Sequence, residues 1–190
     1  MKIKTMSRNA VLLIVSTLVA SWLGMQAVHE FGHCVGAWLT GGTVERVDLK
    51  PWSISQTVLS HNPRPLIVVW AGPMLGVALP VLIGLVFVIV KWSFAFVLRF
   101  FAGFCLVANG LYLGVGWFFE IGDCGEMLRH GSSVWHLWLF GLVAVPMGFG
   151  LWHGQGRYFG IGKEAVPVRG SVAVGLCLVA LALIGVGIYL

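Results

Sequence analysis

Charge is scarce in this chain. Lys, Arg, Asp and Glu together make up only 10% of its 190 residues, against 58% that are apolar. Soluble domains carry about 25% charged residues, and surface-to-volume scaling leaves a chain of this size no way to hide so much apolar surface from water. Its solvent is therefore expected to be lipid. Basic runs are lacking too: the formal net charge is +5, but each Lys and Arg stands singly between apolar stretches. Without clustered cations and interleaved aromatics a nucleic-acid partner is not expected, and the cations are assigned to topology and lipid headgroups. The four cysteines, Cys34, Cys105, Cys124 and Cys177, form no CxxC pair and are read as small hydrophobes. The apolar runs lack the dyad alternation of a membrane barrel. Internal repeats and paired broken helices are missing as well, which disfavours a transporter.

What remains is a set of continuous apolar stretches, about Ala10–Leu39, Leu66–Val90, Ser93–Phe119, Val134–Trp152 and Ser171–Leu190. Each meets or approaches the roughly 20 residues needed to cross a hydrocarbon core. The expected fold is all-α: a polytopic membrane bundle of about five transmembrane helices, with residues 1–190 forming a single integral membrane domain. Lys2, Lys4 and Arg8 before the first run resemble a signal peptide, but the run is too long for one and shows no clear cleavage site. Between the first two spans, Thr43–Leu49 alternates apolar with polar and Ile54–Leu59 does so more weakly. That pattern suits a short β-hairpin able to offer an edge to an extended peptide, or else a plain connecting loop.

The first span carries His29-Glu30-Phe31-Gly32-His33. Two histidines at i and i+4 share one helix face and so can serve one metal ion. Glu30, directly after the first, stands where it can take a proton from a water that the metal activates. Ionisable residues inside an apolar helix are costly, which marks them as functional. A catalytic zinc needs a third protein ligand and an open position. Glu120, Asp123, Glu126 and His130 are the candidates; Asp123 stands between Gly122 and Gly125, whose backbones permit close approach, though it also suits a helix cap. Counting crossings brings His29 and His33, the Gly72-Pro73 start of the second span, and Asp123 to one end of the bundle. Arg99 lies inside the third span without an evident partner, and Asn109 stands further along it.

The run from His29 through His33 to Ala37 and Gly41-Gly42 resembles the zinc helix of the site-2 protease family. Ala71-Gly72-Pro73 is similar to that family's second signature, and Gly122-Asp123-Cys124-Gly125 to its third. The order and spacing agree over about residues 20–130, making a metalloprotease-like core of about 10–130 with additional helices over about 134–190. Two departures stand out. Cys124 separates the aspartate from its glycine, and the Asn and Pro that the family places just before the aspartate are missing, Asn109 being further upstream. There is no PDZ-like insertion. The resemblance implies a zinc metalloendopeptidase in which His29, His33 and Asp123 bind the metal and Glu30 is the catalytic base. Its substrate would be a membrane protein cut in or beside a transmembrane helix, in the cell membrane. The alternative is a zinc-binding membrane protein that holds partners without cutting, for which Glu30 would be superfluous. The positive-inside count (Lys2, Lys4, Arg8, Lys91, Arg157, Lys163 and Arg169 against Arg46, Lys50, Arg64 and Arg129) puts the N-terminus in the cytoplasm and opens the site outward. The family resemblance implies the opposite orientation.

Overall fold

The computed structural model describes residues 6–189; Lys2 and Lys4 of the signal-like start, and Leu190 at the end of the fifth span, lie outside them. Six α-helices and one hairpin follow in order: α1 (Arg8–Leu39), β1 (Thr43–Asp48), β2 (Gln56–His61), α2 (Pro65–Ile89), α3 (Ala95–Gly116), α4 (Asp123–Arg129), α5 (Val134–Trp152) and α6 (Gly170–Tyr189). All but α4 are long and apolar enough to cross a membrane. The chain is an integral membrane bundle, and a two-stranded antiparallel sheet joins its first two helices. Helix α1 packs on α2, α3 and α6, and α3 sits between α2 and α5.

Lipid supplies no hydrophobic force between helices, so their association depends on close packing. The small residues deliver it. A Cβ on Gly36 would lie 2.7 Å from that of Ala71, and one on Gly32 would collide with the Ala71 carbonyl, so α1 and α2 meet at backbone distance. Gly141 of α5 seats on Gly110 and Gly114 of α3 in the same way. Helix ends follow local chemistry: the Ser7 side chain accepts from the Ala10 N–H at 3.2 Å, and Pro65 opens α2 where its missing N–H costs nothing. Arg99 has a structural task. Its Nε donates to the Leu151 carbonyl and its Nη2 to that of His153, both at 2.7 Å, which satisfies two carbonyls at the C-terminal end of α5.

Two features differ from the sequence expectation or refine it. The third span stops at Gly116 instead of Phe119. The chain then doubles back through Glu120, at φ 49°, and Gly122, at φ 58°. A Cβ at Gly122 would strike the Tyr112 hydroxyl, so this return requires glycine. It leads into α4, whose Cys124 and Met127 are fully buried with Val69, Leu113 and Leu137. The residues between α1 and α2 form the hairpin, its strands six residues each, with irregular register at Thr43/Val44 and Val44/Arg46. This hairpin folds back along α1. The Ser55 N–H reaches Gln26, thirteen residues before the end of α1 at Leu39, so the return covers about 20 Å at 1.5 Å per residue. Non-helical backbone at such depth is tolerated where it lines a protected polar site.

Candidate metal centre

Two adjacent faces of α1 divide the work. Residues four apart stack on one face, so His29 and His33 look toward α2, α3 and α4, while Gln26, Glu30 and Cys34 look toward the hairpin. All five side chains are buried.

The His29 and His33 Nε2 atoms lie 3.1 Å apart. Asp123 Oδ2 stands 2.7 Å from the first and 3.3 Å from the second. Each imidazole is oriented through its other nitrogen. His33 Nδ1 is 2.9 Å from the Val68 carbonyl, which can only accept, so Nδ1 carries the proton. His29 Nδ1 is 2.7 Å from Asn109 Oδ1, and Asn109 Nδ2 donates to the Cys105 carbonyl at 2.9 Å, which fixes the amide's sense and makes His29 Nδ1 the donor. With Nδ1 the donor in each ring, both Nε2 atoms turn toward one another and toward a carboxylate oxygen. Three acceptors at this range repel unless a cation lies among them. Burial disfavours charge on Asp123, but its pairing with His29 and His33 outweighs that and holds the carboxyl below the usual carboxylate range. A proton can bridge one of the three pairs; a metal ion satisfies all of them. The donor set thus fits a zinc ion, with one ligand atom from each residue and all three within 4.8 Å of one another.

Neighbouring residues hold this arrangement. The Asp123 N–H donates to the Tyr112 hydroxyl at 2.9 Å, and the Tyr112 and His29 rings meet in a T-shaped contact. Gly72 leaves room for the His33 ring, which a Cβ there would overlap. Gly76 likewise admits the Asn109 amide. Glu30 is not among the converging donors. Its Oε1 accepts from Ser55 Oγ at 2.7 Å and its Oε2 from Thr57 Oγ1 at 2.6 Å.

A family model described as Peptidase M50B-like matches residues 6–118, more than half of the chain. The chain belongs to this family. The match supports membership of the site-2 proteases, the resemblance read from the motifs. No curated protein and no solved structure matches the chain. In this M50B-like peptidase the matched segment contains His29, Glu30, His33 and Asn109 but ends before Asp123, which joins the cluster through the fold.

The other third-ligand candidates are elsewhere. Glu120 is exposed on the turn after α3. Glu126 pairs with Arg129 at 2.5 Å and with His130 at 3.3 Å at the surface. Cys124 also faces away: its thiol, pushed up to about 12 by burial, donates to the Tyr112 carbonyl. Asn109, Gln26, Ser55 and Thr57 surround the site without having been assigned a role from sequence. An amide inside an apolar span is costly enough to have flagged Asn109 and Gln26. Nothing in a Ser/Thr-containing loop singles out Ser55 and Thr57.

Proposed function

We propose that this M50B-like peptidase is an intramembrane zinc metalloprotease that hydrolyses peptide bonds in or beside the transmembrane segments of other membrane proteins. One observation carries the reading: two buried imidazoles with outward-fixed Nδ1 protons and one partly buried carboxylate turn three lone pairs on a single point. His29, His33 and Asp123 would hold the zinc. When bound, zinc supplies Lewis acidity, lowering the pKa of a water to about 7 and polarising the scissile carbonyl.

The chain's own residues do the rest. Glu30 takes the proton of the attacking water and returns it to the amine nitrogen as the C–N bond breaks. Asn109 and the Val68 carbonyl keep both imidazoles aimed at the metal point. The hairpin screens the buried Glu30 from lipid. A substrate helix has its carbonyls in hydrogen bonds and must unwind locally before it reacts.

The test compares wild type, Glu30→Gln and His33→Ala, purified in detergent and coexpressed with a library of single-span membrane reporters. Wild type and Glu30→Gln are expected to hold about one zinc per chain, as a three-ligand site implies, and His33→Ala to hold none. Reporter cleavage should fall about 10²–10⁴-fold in Glu30→Gln, the usual worth of a general base. Equal cleavage by wild type and Glu30→Gln refutes the mechanism. Zinc at the same level in His33→Ala refutes the site.

A further inference from the structure

We propose that Ser55 and Thr57 are positioning residues for Glu30, the re-entrant hairpin supplying the two hydroxyls that set the orientation of the catalytic base. The inference rests on the proteolytic reading above and adds to it a role for the hairpin. Both carboxylate oxygens of Glu30 are occupied, Oε1 by Ser55 Oγ at 2.7 Å and Oε2 by Thr57 Oγ1 at 2.6 Å. Glu30 is 4% exposed, so bulk solvent does not readily displace either donor, while each oxygen keeps a second lone pair for the attacking water. Two donors, one on each oxygen, fix the plane of the carboxylate as well as its position. One donor would leave it free to turn. Ser55 and Thr57 flank Gln56, and in extended backbone residues two apart face the same side, so one short segment delivers both hydroxyls.

The segment is itself held from two directions. The Ser55 N–H donates to Gln26 Oε1 at 2.9 Å, one helical turn below Glu30. On the far side the hairpin's turn rests on Gly187 of α6, where a Cβ would come within 2.5 Å of the Leu49 carbonyl and 3.2 Å of the Pro51 ring. Helix α6 contributes no side chain to the metal point, yet it backs the hairpin that holds the base. Hydroxyls suit the task chemically. A hydroxyl carries no charge, so the two bonds orient the carboxylate without placing a cation beside it, as Lys or Arg would.

Ser55→Ala and Thr57→Val remove one hydroxyl each, and Ser55→Thr and Thr57→Ser keep it. Infrared difference spectra of zinc-loaded protein against Glu30→Gln isolate the carboxylate stretch of Glu30, a readout that needs no substrate. That band should shift in Ser55→Ala and Thr57→Val and return in Ser55→Thr and Thr57→Ser. With a cleaved single-span reporter, each loss should lower kcat about 10–100-fold, the scale of a hydrogen bond to a charged group, at unchanged KM and zinc content. Either position suffices if the other variant misfolds. An unmoved band, or a moved band with wild-type or higher kcat, overturns this inference alone. Absence of reporter cleavage by wild type overturns the proteolytic reading and the kinetic part of the inference with it.

Discussion

Replacing Asn109 with leucine removes the acceptor of the His29 Nδ1–H and changes little else. The two side chains are similar in size. The Cys105 carbonyl that Asn109 Nδ2 reaches also belongs to the α3 backbone ladder, so its loss orphans nothing there. The cost falls on His29. His29 is 7% exposed, so no bulk water steps in for Asn109 Oδ1, 2.7 Å away. The imidazole then either keeps a buried unsatisfied N–H or moves its proton to Nε2, where it blocks the lone pair aimed at the metal. Loss of such an outer partner costs about 10–100-fold in metal affinity, or about 1.4–2.7 kcal/mol, and the burial places Asn109→Leu toward the upper end. Asn109→Asp, which keeps an acceptor at the same place, should bind zinc at least as tightly as wild type. Equilibrium competition with a chromophoric zinc chelator in detergent reads both variants. Wild-type affinity in Asn109→Leu, or equal losses in the leucine and aspartate variants, would refute the orienting role.

Asp123→Ala should abolish zinc retention while Glu120→Gln and Glu126→Gln keep it, by metal analysis of purified protein; the reverse pattern would remove Asp123 from the site. Gly72→Ala should displace the His33 ring, lower the melting temperature through overpacking that typically costs about 1–3 kcal/mol, and weaken zinc binding. Normal zinc content in that variant would show that the ring tolerates the added methyl. Chelation should lower the melting temperature of wild type, because ligand release exposes the mutual repulsion of the three donors. It should leave that of His33→Ala unchanged.

Much of the membrane architecture is local and therefore readable along the chain. Each span must satisfy its own backbone in lipid, and only a helix does so within one segment; hence the apolar runs predicted α1, α2, α5 and α6 to within two residues at either end. The pairing of His29 with His33 is equally local, since helical periodicity alone puts them on one face. The even count of crossings correctly brought the Gly72 region and Asp123 to the same end of the bundle.

What connects different segments was decided by the tertiary structure. Asn109 stands 80 positions from His29, and nothing local tells whether a polar residue of α3 faces lipid, α5 or α1. The close approach of α1 to α2 at Gly32, and of Gly76 to the Asn109 amide, settles that. Asp123 was legible as a candidate beside Glu120, Glu126 and His130. Its place beside His29 and His33 follows from the early end of α3 and the glycine turn, which lets the Tyr112 hydroxyl receive its N–H. The hairpin was open between strand pair and loop because a six-residue alternation carries little energy of its own; its docking on Gln26, Glu30 and Gly187 resolves it. Periodicity places a side chain on a face of its own element, whereas the partner that face meets depends on how helices pack across the bundle.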